Sequence, residues 1–269
     1  MENHEPKINI SKNNNKTLGV LYEDNHIIAV KKPAGVATQD DGNGEVNLAE
    51  MVKNYLRIKY NKPGNVFLGL VHRLDKPVQG IVLFGKTSKG TIRLSDQFKD
   101  RLVQKTYHAV ILGRPQESQG LIKEKINKVS FFAKSFVGKS DLELLQEIKH
   151  ATKTRTAELF WTVIKSNGMY SLLKISPKTG RFHQIRVQMA NMGHPVVGDR
   201  KYAKESQTRR MDWNDNKEIA LAATGIKFKT AVADEWVELN IPLPEKWRKY
   251  IGDCDKMRDC RSQAWDTEK

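Results

Sequence analysis

Apolar residues in this chain come in short runs broken by turn formers, and that spacing limits what it can become. The densest run, 81–84, is far too short to cross a bilayer, which excludes an integral membrane protein. Runs at 18–22, 27–30, 67–71, 81–84, 106–112, 156–164, 170–175, 219–228 and 236–241 read as strands. Turn clusters such as Glu23-Asp24-Asn25 and Lys32-Pro33-Ala34-Gly35 punctuate them. Helical spacing is rarer. Asn47 followed by Glu50 predicts a capping box, with Leu48, Met51, Val52, Tyr55 and Leu56 on one face beyond it. A second helix is predicted over 88–102, with Ile92, Ser95, Phe98 and Leu102 on one face. A third covers 182–192, ended by Gly193 and Pro195, and short ones fall at 142–148 and 244–250. Strands outnumber helices without alternating with them, which predicts an α+β fold: a mixed, largely antiparallel sheet flanked by a few helices. No internal repeat is visible.

The 269 residues are ample to bury a core. Residues 1–16 are expected to form a disordered tail, 17–250 the folded domain, and 251–269 a charged tail, with a polar, lysine-rich excursion at 127–151. The only cysteines are Cys254 and Cys260, and no His or Cys group elsewhere has metal-ligand spacing; a disulfide scaffold and a zinc domain are therefore not expected. The N-terminus has neither an apolar signal core nor an Arg-rich amphipathic pattern, so a cytoplasmic address is expected.

Charge carries the next constraint. There are 46 Lys and Arg against 31 Asp and Glu, a formal net charge of +15. Its distribution says more than its size. Between Glu50 and Asp96 the only carboxylate is Asp75, among nine lysines and arginines. From Leu159 to Gly198 there is no acid at all, yet Lys165, Lys174, Lys178, Arg181 and Arg186 are present. A generally basic surface is the plain reading, but an ordinary solvated face mixes both signs, and binding to a phosphate backbone explains the segregation better. Asp75 lies in the polar turn His72-Arg73-Leu74-Asp75, between two apolar strands. A turn aspartate often serves only to bond its own backbone. A protein that grips phosphates gains nothing from a carboxylate in its most basic stretch unless that carboxylate has a task.

These residues resemble a known catalytic motif. Val71-His72-Arg73-Leu74-Asp75, with Gly80 behind it, looks like the active-site motif of the RluA-type family of RNA pseudouridine synthases. Lys32-Pro33-x-Gly35 is similar to the family's first motif, and Lys105-Thr106-Tyr107 to its K-x-Y motif. Residues Thr179-Gly180-Arg181-Phe182-His183-Gln184-Ile185-Arg186 match T-G-R-x-H-Q-I-R, and Gly193-His194-Pro195-Val196-Val197-Gly198-Asp199 with Tyr202 follows in order. The resemblance covers about residues 17–247. Departures are Val78-Gln79 for the usual Thr-Ser, Gln188 for a usual His, and Glu218 to Ala223, including Ala222, for a strand that ordinarily carries Arg and His. No S4-type RNA-binding module is expected before the domain, the N-terminal tail being too short for one.

The resemblance implies the pseudouridine synthase fold, over 17–250 as the catalytic domain, and isomerisation of uridine to pseudouridine in structured RNA, ribosomal or transfer. It implies Asp75 as the essential residue, Tyr107 stacking under the flipped base, and Arg186 pairing with Asp75 to hold it ionised and oriented. His72, Arg73, Lys105, Arg181, His183 and Gln184 are the RNA-contact candidates, Arg73 filling the space the base leaves and His183 and Gln184 shaping the pocket or supporting Arg186. Taken alone, Tyr107 reads as an ordinary core tyrosine of a strand, and Arg186 as a phosphate contact or a surface ion pair. Nothing is added or lost in the isomerisation, so no cofactor and no metal are expected; the implied partner is RNA, acted on by a monomer. A non-catalytic RNA-binding or RNA-folding protein on the same scaffold is the alternative, while no helix-turn-helix, zinc finger or basic zipper supports a DNA-binding protein.

Overall fold

The structure, a computed structural model, describes residues 18–126 and 155–252. The helix expected at 142–148, both cysteines, and the expected tails apart from residues 251 and 252 lie outside them. The described residues form two compact units, one of 18–103 and 225–241, the other of 104–126, 155–224 and 242–252. The fold is a mixed, largely antiparallel sheet with few helices, and among the described residues no helix is long and apolar enough to cross a membrane.

In the first unit, β1 (Gly19–Glu23) and β2 (Ile27–Lys32) form a hairpin whose turn is made by Asp24, its Oδ1 accepting the N–H groups of both His26 and Ile27 at 2.6 Å. Helix α1 (Leu48–Lys59) starts at Asn47 with the capping box that the sequence announces. The short β3 (Gly69–Leu70) and β4 (Gln79–Gly85) follow, then α2 (Ser88–Lys99). β4 pairs antiparallel with β2, matching Val82 with Val30 and Leu83 with Ala29. Ile27, Ala29, Ile81, Leu83, Leu94, Val103, Ile226 and Phe228 form the core, and complete burial of one such leucine is worth roughly 2–3 kcal/mol.

Two expectations are corrected here. The predicted strand 67–71 shrinks to β3, leaving Phe67 exposed. On α2 the predicted apolar face is right only at Phe98, which packs against the core: Ile92 is 60% and Leu102 47% exposed, while Gly90, Leu94 and Gln97 are buried. The cause is close approach. A Cβ on Gly90 would overlap the His26 carbonyl, and one on Gly85 would overlap Thr91, so the helix lies against the strands on its smallest residues. Gln97 then closes the contact by bonding the Lys229 backbone through both ends of its amide.

In the second unit, β5 (Gln104–Leu112), β8 (Tyr170–Pro177), β7 (Arg155–Ser166) and β6 (Gln119–Ile126) lie side by side in that order, every pair antiparallel. The strand β6, for which the sequence carried no expectation, alternates exposed and half-buried residues as an edge strand does. Helix α3 (Gln184–Asn191) packs Val187 against Ile126 and Ala157. A short α4 (Glu205–Arg209) precedes β9 (Leu221–Lys229), the strand within which the chain passes between units, and β10 (Trp236–Asn240) pairs with it. A 3-10 turn (Glu245–Trp247) and α5 (Arg248–Ile251) end the described chain.

Candidate active site

The turn that carries Asp75 belongs to the first unit and is fastened on both sides. At its start His72 accepts the Leu83 N–H on Nε2 at 2.9 Å and stacks on Phe98, with ring centroids 4.7 Å apart. Leu74 is buried, and its N–H and C=O both bond the Thr38 hydroxyl, at 3.1 and 2.9 Å. On the far side stands Lys32, fully buried, donating its ammonium to the carbonyls of Pro33, Val36 and Lys76 at 3.0, 2.6 and 3.1 Å. The Gly35 N–H also donates to the Lys76 carbonyl at 2.8 Å, and the Val78 N–H closes the turn onto the Asp75 carbonyl at 3.0 Å. Buried lysine is rare because its charge needs strong acceptors, and here three carbonyls replace water. The result is a stiff backbone that presents Asp75 half-buried and Arg73 exposed.

Tyr107, Arg186 and the remaining candidates belong to the second unit. Lys105 and Tyr107 stand two apart on β5, hence on one face, both half-buried. Lys105 reaches toward Gly180 and, among the described residues, has no ion pair or hydrogen bond; burial brings its ammonium down to about 8. The turn before α3 is tied to β7 by Gln184, itself 4% exposed. Its Oε1 accepts from the Thr179 hydroxyl (2.7 Å) and the Arg181 N–H (3.0 Å), and its Nε2 donates to the Glu158 carbonyl (3.1 Å). Arg181 Nε donates to the Thr156 carbonyl at 3.1 Å. In this structure the amide of Gln184 holds the turn, and Arg181 is partly anchored.

His183 caps α3 in the left-handed conformation, φ 51°, an unusual backbone for a residue other than glycine. Its ring stacks on Phe182 (3.8 Å), its Nδ1 lies 2.6 Å from the Tyr202 hydroxyl, and its Nε2 lies 3.2 Å from Arg186 Nη1. Burial first, then the charges of Arg186 and Lys201, push the imidazole down to about 3, so it is neutral at physiological pH. Arg186 is 6% exposed and makes a two-point pair with Asp199, Nε to Oδ2 at 2.6 Å and Nη2 to Oδ1 at 2.9 Å.

Part of the sequence's positive charge is compensated locally. Lys59 and Lys86 pair with Glu23, Lys76 with Asp41 and Glu45, and Lys178 with Glu158. Burial alone would raise the Glu23 carboxyl, but hydrogen bonds from Lys59, Lys86, Tyr60 and Tyr55 bring it down to about 2. Lys53, Lys62, Arg73, Lys89 and Arg93 have no carboxylate partner among the described residues.

Residues 26–191 match the family described as RNA pseudouridylate synthase. A ribosomal large subunit pseudouridine synthase C of Rickettsia bellii is 34% identical over 233 residues, covering 86% of this chain and 70% of that protein. The chain belongs to the RNA pseudouridylate synthase family. A second synthase C, from Buchnera aphidicola, is 27% identical over 233 residues, 86% of this chain and 69% of that one. Among solved structures, human RNA pseudouridylate synthase domain containing 4 shares the fold, with a TM-score of 0.67 at 20% identity over 85% of this chain and 90% of that one. The protein is thus an RNA pseudouridine synthase.

Sequence reasoning on this synthase assigned no role to three residues that the structure makes prominent: Lys32, Asp199 and Tyr202. Asp199 carried a readable signal, being the first carboxylate after the acid-free stretch 159–198. Apart from half-buried Gln79, the named departures from the family pattern are buried. Val78 and Ala222 are buried, and Gln188, fully buried, donates to the Ala157 carbonyl at 3.4 Å. Glu218 pairs with Lys246, and its carbonyl accepts the Trp213 indole N–H at 2.9 Å.

Proposed function

We propose that this synthase isomerises uridine in ribosomal RNA of the large subunit, with Asp75 as its essential group. The support for the substrate is the name of the relatives; the support for Asp75 is its presentation, half-buried, on a turn whose backbone is held by Lys32, Thr38 and His72. The reaction breaks the N1–C1′ bond, rotates the uracil and joins C5 to C1′. A stacked nucleotide hides these atoms, so the target must leave its stack, and Arg73 takes the space behind it. An ionised Asp75 then serves as nucleophile at C1′ or C6 or as base toward C2′, three routes with the same requirement for charge and aim. Tyr107 stacks on the uracil. Arg186 is the cation that keeps Asp75 ionised and oriented.

The test is tritium release from C5-labelled uridine in large-subunit ribosomal RNA, followed by mapping of the pseudouridines made. Release at one or a few discrete sites is expected. No release from ribosomal RNA, with release from transfer RNA, overturns the substrate assignment.

Lys105 adds a pH signature. An ammonium held at about 8 by burial is charged in the free protein below that pH and neutral above it. A bound phosphate favours the charged form, so above pH 8 binding must take up a proton and weakens, by up to about tenfold per pH unit. Affinity measured by fluorescence anisotropy at fixed ionic strength is expected to fall several-fold from pH 7 to 9 and to become flat in Lys105→Met. The same slope in both proteins removes Lys105 from the RNA interface.

A further inference from the structure

We propose that Asp199 is a positioning residue of the reaction: it sets the plane and direction of the Arg186 guanidinium. This rests on the reading that Arg186 acts on Asp75. Asp199 is 1% exposed, and its carboxylate is fully committed, to Arg186 Nε (2.6 Å), Arg186 Nη2 (2.9 Å) and the Lys201 N–H (3.2 Å). A fork-to-fork pair of this kind fixes a guanidinium in a plane, which a single contact does not. Two further groups hold the other sides. The Tyr202 ring lies under the guanidinium carbon, 5.2 Å from its centroid, and His183 Nε2 meets Nη1. Arginine only donates, so His183 Nε2 must accept, and Nδ1 then carries the proton toward the Tyr202 oxygen. The neutral imidazole this needs is the form that burial enforces.

Asp199 is itself held by rigid parts. The Leu112 N–H donates to the Pro195 carbonyl (3.0 Å) and the Val197 N–H to the Val110 carbonyl (2.9 Å), which registers the loop on β5, the strand of Lys105 and Tyr107. Gly198 has φ 85°, and a Cβ there would overlap the Trp213 ring, whose indole N–H is bound to the carbonyls of Asp215 and Glu218. The chain thus runs from a packed indole, through a position that only glycine fits, to the carboxylate that orients Arg186. A surface ion pair would be worth little. A buried pair is costly to assemble and is poor evidence of stability, so its two-point geometry points to direction rather than strength.

The experiment compares wild type, Asp199→Asn, Asp199→Glu and Arg186→Met by tritium release, RNA affinity and melting temperature. For Asp199→Asn, kcat is expected to fall about 100-fold while KM and RNA affinity stay within threefold. Loss of fold alone would lower RNA affinity along with kcat. If the Asn variant does not fold, Asp199→Glu carries the test: it keeps the charge but displaces it by one methylene, and the same split between kcat and affinity is expected. Wild-type kcat in the folded variant, or an equal loss of kcat and affinity, overturns the assignment of Asp199. Undiminished turnover in Arg186→Met overturns instead the reading beneath it.

Discussion

Asp75→Asn is expected to abolish tritium release, by at least about 10⁴-fold, while RNA binding holds or tightens. Both halves follow from its surroundings. The bonds that shape its turn come from the Lys32 ammonium, the Thr38 hydroxyl, the His72 ring and backbone groups, so an amide of the same shape leaves those restraints in place. Turnover is lost because an amide can neither attack a sugar carbon nor accept its proton at neutral pH. Binding is not lost because Asp75 is the only acid between Glu50 and Asp96, and it opposes phosphate. Removing one negative charge from that stretch makes the potential met by RNA more positive. Filter binding and release assays on the same preparations separate the two effects. Retained turnover, or a loss of affinity matching the loss of turnover, would falsify the catalytic assignment and favour a scaffold that only binds RNA.

The uneven legibility of this molecule in its sequence has a physical pattern. Elements whose signal is local were readable: the Asn47 capping box, the Asp24 turn, and the runs 27–30 and 81–84, which are apolar because both their faces are covered. Elements defined by what they touch were not. The face of α2 is chosen by Gly85, Gly90 and Thr91, so Ile92 is left in solvent although its spacing suits a core. β6 was missed because its polar alternation, Lys123, Glu124 and Lys125 among it, is that of an edge strand, close in composition to a loop. The site divides the same way. An isolated acid in a basic stretch singled out Asp75, and the same rule points to Asp199, at the end of the other acid-free stretch. Lys32 was marked only by its place in the Lys32-Pro33-x-Gly35 motif; its charge told nothing of its role, because a lysine in a chain with 46 Lys and Arg carries little information until its burial is known.

Lys32→Met is expected to be the most damaging change outside the residues that meet substrate. The ammonium is fully buried and serves three carbonyls, those of Pro33, Val36 and Lys76. Hydrogen bonds to a charged donor contribute about 1.5–3 kcal/mol each, and a buried carbonyl left without a partner loses the full cost of its desolvation. Against this, removing the charge relieves the penalty of burying an ion. The balance is a loss of about 3 kcal/mol, since methionine fills the volume but satisfies none of the three oxygens. For a chain of this size that lowers the melting temperature by about 6–12 °C. Activity falls further than stability explains. The Lys76 carbonyl follows Asp75 by one residue, and only the Gly35 N–H would still hold it, so the carboxylate loses its aim while the protein remains folded. Measured well below the melting point, kcat is expected to drop by about 10²-fold, as a 1 Å displacement does elsewhere, with RNA affinity little changed. Lys32→Arg offers no rescue, because the larger guanidinium does not fit a site closed on every side. A melting temperature and kcat both equal to wild type in Lys32→Met would mean that the turn keeps its shape without the buried ammonium, held by Thr38, His72 and its backbone bonds.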